Sequence, residues 1–120
     1  MCLGIATGYI KPKKKIYVCS PYSGNVERNV EYARKYCRFV VQRGFIPIAP
    51  HLFFPQFLDD KNPEERKLGM SMAKDLLKDC EELWVFSGIL SEGMKAEIEL
   101  ANKLGIEIVN IPGGTVHDEW

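Results

Sequence analysis

The stretch KIYVCSPYSGNVERNVEYARKYCRFVVQRGFIPIA, residues 15–49, decides the fold. Lys15 to Ser20 are β-branched and aromatic and stop at Pro21, which reads as a strand. After the loop Tyr22-Ser23-Gly24-Asn25, residues Val26, Val30, Ala33, Cys37 and Val40 recur at helical spacing up to about Arg43. Gly44 stands where a helix stop belongs. Phe45-Ile46-Pro47-Ile48-Ala49 is a second strand, and its central Pro predicts a short strand or one near an edge. Strand, helix, strand is the unit from which parallel sheets are built.

The alternation continues outward. Residues 50–63 read as a long loop rich in aromatics, with His51, Phe53, Phe54 and Phe57. A helix starts near Pro63-Glu64-Glu65 and runs to about Lys78, with Gly69 as a possible break. Leu83 to Phe86 form a third strand, 88–93 a loop, Met94 to Leu104 a helix ended by Gly105, and Ile106 to Ile111 the last strand. The order predicts a single doubly wound, flavodoxin- or Rossmann-like α/β domain, with a parallel sheet of about four or five strands and helices on both faces. Its expected division is an N-terminal extension over 1–14, the domain over 15–112 and a tail over 113–120. Ligands of such sheets sit beyond the carboxyl ends of the strands, which directs attention to 20–25, 50–63 and 87–93.

Lys plus Arg and Asp plus Glu both number 16 in the 120 residues, so no basic field is available to hold a nucleic-acid polymer. Local capture of one or two phosphates stays open. The Lys-Pro-Lys-Lys-Lys run at 11–15 is short, lacks interleaved aromatics and reads as a solvated lead into the first strand. Cys2, Cys19, Cys37 and Cys80 form no C-x-x-C pair and no zinc pattern with His51 and His117, so buried free thiols are expected, with neither metal nor cofactor. Met1 to Ile10 is too short and broken for a signal peptide or a membrane span, which predicts a cytoplasmic protein with no membrane partner.

The helix that follows the third strand carries the sharpest signal. At 100° per residue, Met94, Ile98, Leu100, Ala101 and Leu104 define one apolar face, and Glu97 falls near its centre. A carboxylate among core positions is costly unless compensated. Either Glu97 reaches a solvent edge, or it is a buried nucleophile or base at the mouth of the sheet. Ser91 can cap the helix, and Gly93 lets a ligand approach free backbone N–H groups that suit a phosphate.

Taken together, these pieces resemble the nucleoside 2-deoxyribosyltransferase superfamily, which includes the 2'-deoxynucleoside 5'-phosphate N-hydrolases. The resemblance rests on Ile16-Tyr17-Val18-Cys19, on Ser91-Glu92-Gly93-Met94-Lys95-Ala96-Glu97 and on Ala101, and it covers residues 15–112. The chain looks closest to a branch of small phage and bacterial domains that share phrases such as Tyr17-Val18-Cys19-Ser20-Pro21-Tyr22, Pro47-Ile48-Ala49-Pro50-His51 and Glu82-Leu83-Trp84-Val85-Phe86. The resemblance implies that Glu97 attacks the anomeric carbon of a (deoxy)ribosyl group and breaks the N-glycosidic bond to the base. It implies that the Tyr17 hydroxyl orients Glu97 and that Ser91 and Gly93 hold a 5'-phosphate. Tyr22, Ser23 and Gly24 would line the sugar, His51 and Phe53 would face the base, and Ser20 and Met94 would also touch the substrate. It further implies a homodimer, in which Thr115 or Trp120 could complete a neighbour's pocket.

One departure matters. An ungapped match puts Ala73 where the family carries an Asp that handles the proton of the departing base. Asp75 takes that role only if the local helix is shifted, since two residues turn the side chain by about 200°. Two functions follow: an N-glycosidase or deoxyribosyltransferase acting on nucleosides or their 5'-monophosphates, and a non-catalytic nucleotide-binding module. A third outcome is a fold that keeps no site.

Overall fold

The computed structural model describes residues 13–86 and 88–112. Cys2, Ser87, His117 and the expected tail, with Thr115 and Trp120, lie outside the described residues. The elements run β1 (Lys15–Cys19), α1 (Val26–Gln42), β2 (Ile46–Ile48), α2 (Pro50–Phe53), α3 (Pro63–Lys78), β3 (Glu82–Val85), α4 (Glu92–Leu104) and β4 (Glu107–Asn110). The sheet has four strands, all parallel, in the order β2-β1-β3-β4.

β1 lies at the centre, and Ile16 to Cys19 are buried on both faces, as a strand covered by helices on both sides requires. Its alternate side chains feed two cores. Ile16 and Val18 join Trp84, Phe86 and the α1 residues Tyr36, Phe39 and Val40. This core is aromatic: Tyr36 stacks on Phe86 at 4.5 Å, and Phe39 and Phe45 meet Trp84 edge-on. Such pairs contribute about 0.5–1.5 kcal/mol each beyond their buried area. Tyr17 and Cys19 point the other way, to Leu77, Leu83, Val85, Met94 and Ala101 beneath α3 and α4. The fold is therefore doubly wound, and its order reverses between β1 and β3.

Pro47 is accommodated because β2 is an edge strand. Ile46 N donates to Lys14 O at 2.9 Å, so the Pro47 nitrogen, one residue on, faces away from β1. Helix ends follow their side chains. The Asn25, Asn62 and Ser91 side chains accept from first-turn N–H groups of α1, α3 and α4. Gly105 takes a left-handed φ of 73° that ends α4.

Several expectations shift. Residues 50–56 are a short helix and a 3-10 turn rather than loop, begun by Pro50 at the first helical position. α3 runs unbroken through Gly69. α4 starts at Glu92, two residues earlier than its apolar pattern suggests, because the Ser91 cap rather than the first apolar residue sets the start. Leu104 is 43% exposed, and Val26 is exposed as well, since both lie in end turns that overhang the core. Cys19 and Cys80 are buried free thiols, and Cys37 is a half-buried one. Among the described residues no helix is long and apolar enough to cross a membrane.

Candidate active site

A cavity of about 400 Å³ opens at the carboxyl ends of β1 and β3, where the sheet order reverses. That is a volume suited to a small molecule. The loop after β1 supplies Ser20, Tyr22 and Ser23, α2 supplies His51, and the start of α4 supplies Ser91, Gly93, Met94 and Glu97. The loop is held from α1, where Asn29 Nδ2 donates to Tyr22 O at 3.1 Å and to Ser23 O at 2.9 Å.

Glu97 does not reach for a solvent edge. Its side chain is 12% exposed, and its Oε2 accepts a hydrogen bond from Tyr17 Oη at 2.5 Å. Tyr17 sits beneath the cavity floor, fully buried, with its hydroxyl aimed at the carboxylate. Burial pushes the Glu97 carboxyl up to about 7, and hydrogen bonds from Tyr17 and Cys19 offset part of that rise. Burial, reinforced by the Glu97 charge, holds the Tyr17 phenol well above its ordinary value, so it stays a proton donor. His51 Nε2 lies 3.9 Å from Glu97 Oε2, and its ring stacks on Tyr22 at 5.6 Å. Burial lowers the His51 pKa and the Asp60 charge opposes that shift, so the imidazole is mostly neutral at pH 7.

At the start of α4, Ser91 Oγ accepts from Met94 N at 3.2 Å, which leaves the N–H groups of Glu92 and Gly93 at the positive end of the helix. A Cβ added at Gly93 would meet only Ser91 Oγ, at 4.0 Å. Protein packing therefore does not require glycine there, and Gly93 lines the cavity. Lys95 turns to Glu92, 3.7 Å away, and does not line the cavity.

Three expected residues stand apart from this constellation. Asp75 is a 72% exposed helix carboxylate paired with Lys78 at 3.5 Å; the helix is not shifted, and Ala73 faces the cavity instead. Phe53 is 58% exposed and packs on Phe54 and Phe57. The change from α to 3-10 winding at Phe54 turns that ring, not Phe53, to the cavity. Gly24 makes a left-handed turn outside the cavity lining.

Apart from Ala73, one whole wall is unmarked in the sequence. Arg66, Gly69, Met70, Ala73 and Lys74 on α3, with Leu58 and Asp60 before it, close the cavity. The small residues Gly69 and Ala73 at i and i+4 on one helix face were the available signal, because they leave room beside a neighbouring helix. Among the described residues, no three His, Cys, Asp or Glu side chains converge as a metal site.

A family profile described as "Domain of unknown function (DUF7768)" matches residues 14–111. No curated protein matches the sequence. Among solved structures, the 2-deoxyribosyltransferase of the psychrotolerant bacterium Bacillus psychrosaccharolyticus superposes with a TM-score of 0.62 at 18% identity, over 82% of this chain and 72% of that one. The 2-deoxyribosyltransferase of Leishmania mexicana superposes with a TM-score of 0.56 at 16% identity, over 82% of this chain and 64% of that one. At such identities the likeness is one of fold.

Proposed function

The chain belongs to the DUF7768 family, whose description assigns no chemistry, and from the site itself we propose that it cleaves or transfers at the N-glycosidic bond of a nucleoside or nucleoside 5'-monophosphate. The observation that carries this reading is the buried Tyr17–Glu97 pair at a nucleotide-sized cavity. The shared fold with two 2-deoxyribosyltransferases supports kinship with their superfamily; the small phage and bacterial branch and the 5'-phosphate N-hydrolase character rest on the sequence phrases Tyr17 to Tyr22 and Ser91 to Glu97 alone. The working unit is residues 15–112, acting as a cytoplasmic homodimer.

Ionised Glu97 attacks C1' of the sugar. The C1'–N bond breaks, and its electron pair leaves with the base. The oxocarbenium-like transition state is stabilised by the carboxylate, and the sugar is then held as an ester on Glu97. Water, or a second base, attacks C1' and returns the carboxylate, and the proton that the attacking group sheds ends on the base released. Tyr17 positions Glu97 throughout. The free N–H groups of Glu92 and Gly93 receive the 5'-phosphate, and the stacked Tyr22–His51 pair faces the base.

Incubation with a panel of ribo- and deoxynucleosides and their 5'-monophosphates, followed by chromatography for free base, tests the reading. Base release is expected, and Glu97→Gln lowers it by at least about a hundredfold, the scale of losing a nucleophile. Undiminished release by Glu97→Gln would remove Glu97 from the reaction. Ala73 favours a second reading, a nucleotide-binding module without turnover, because no carboxylate stands there to protonate the base. Calorimetric binding of the same panel without base release supports that reading over the first.

A further inference from the structure

β1 delivers Tyr17 to Glu97, and the next residue after the strand is Ser20. Ser20 is 1% exposed, and its Oγ has no hydrogen-bond partner. Glu97 Oε1 is likewise buried and unpartnered, while Oε2 is held by Tyr17. Among the described residues these are the two buried side-chain oxygens left unsatisfied, and both residues line the same cavity. Folded proteins leave few such atoms, because a buried hydroxyl without a partner is destabilising and alanine in its place is not. Packing alone gives no reason for a serine here. A turn about its single χ1 bond moves Oγ between staggered positions and can bring it to a ligand.

The two atoms ask for different things. Glu97 Oε1, ionised, only accepts. Ser20 Oγ needs an acceptor for its proton. A phosphate oxygen would serve Ser20 but be repelled by Glu97. An amino group would serve Glu97 but leave the Ser20 proton unplaced. A hydroxyl serves both: it donates to Glu97 Oε1 and accepts from Ser20. If Glu97 attacks C1', the hydroxyl nearest its other oxygen is the one on C2', where glycosidases gain transition-state stabilisation.

We infer that Ser20 and Glu97 Oε1 together bind the 2'-hydroxyl of a ribosyl substrate, so that the site selects ribonucleosides and ribonucleoside 5'-monophosphates over their 2'-deoxy forms. This rests on the proposed glycosidic chemistry and adds the sugar to it. Ser20 is a specificity-determining residue, and its loss falls chiefly on substrates that carry the 2'-hydroxyl.

The test compares the parent and Ser20→Ala on a ribonucleoside 5'-monophosphate and its 2'-deoxy and 3'-deoxy analogues, by base release and by calorimetric affinity. The parent is expected to favour the ribo form over the 2'-deoxy form by about tenfold or more, the scale of one hydrogen bond to a charged group. Ser20→Ala removes most of that preference, because it weakens the ribo and 3'-deoxy substrates far more than the 2'-deoxy substrate. Its melting temperature stays level or rises. A preference unchanged in Ser20→Ala overturns the inference, as does an equal loss on all three substrates. A loss that disappears with the 3'-deoxy substrate assigns the wrong hydroxyl and overturns it too. If no base is released from any substrate, the catalytic reading fails, and the affinities still decide the inference.

Discussion

Glu97 must be ionised to attack a sugar and neutral to sit comfortably in a dry cavity, and its carboxyl, pushed up to about 7, stands between the two. The nucleophilic form accumulates as pH rises, so base release should climb through about pH 7 and level off above it. Tyr17 stabilises the charged form through its hydrogen bond and works against burial. Tyr17→Phe should therefore move the rising limb to higher pH as well as lower the plateau. A rate profile in Tyr17→Phe whose limb stays where the parent's lies would show that the phenol does not hold the carboxylate charge. His51, 3.9 Å away and with its pKa lowered by burial, adds no fixed positive charge to offset that loss.

At the scale of the element, α4 joins fold and chemistry. Its Ser91 cap and Gly105 stop define a 13-residue helix, and its first turn presents N–H groups to the cavity. Gly93 sits in that turn with room for a side chain, so Gly93→Ala should stabilise the protein by up to about 1 kcal/mol through helix propensity. The same methyl group stands where a phosphate would approach. Affinity for a nucleoside 5'-monophosphate should fall about tenfold or more, while affinity for the unphosphorylated nucleoside holds. Calorimetry on the two ligands, with a thermal melt, reads both effects. Equal weakening of both would place the phosphate elsewhere. The helix was legible in the sequence because Glu97 interrupts a regular apolar stripe and Ser91 and Gly105 bracket it. The segment 50–62 was not. Aromatics at 51, 53, 54 and 57 fit several windings, and only the short helix and the 3-10 turn decide that Phe54 rather than Phe53 faces inward. The α3 wall was hidden for a related reason: a face of Arg66, Met70 and Ala73 looks like an ordinary half-buried helix until α4 is packed beside it.

Across the whole molecule, the reversal of strand order between β1 and β3 is what lets Tyr17 from one core reach Glu97 at a ligand-sized opening. The strand and helix order alone was enough to read a parallel, doubly wound sheet, since parallel strands joined by helices admit few arrangements; the place where the order reverses comes from the structure. The fold should bear a cost for the site it creates. Glu97 has an ordinary carboxyl pKa of 4.5 when the chain is unfolded and about 7 when folded. A raised folded pKa means the native state holds the proton longer, so stability is complete below about pH 4.5 and is lost as pH rises through about 7. The difference corresponds to a loss on the order of 3 kcal/mol by pH 8, or about 10 °C of melting temperature for a domain of this size. Glu97→Gln keeps the shape and an acceptor for Tyr17 but has no charge to bury. Its melting temperature should match the parent's near pH 4.5 and exceed it by a widening margin toward pH 8. Titrations shared by both proteins cancel in that difference. Parallel melting curves across pH 4.5–8 would mean that the carboxylate is solvated, and Glu97 would lose the property that suits it to wait, half-charged, for a sugar.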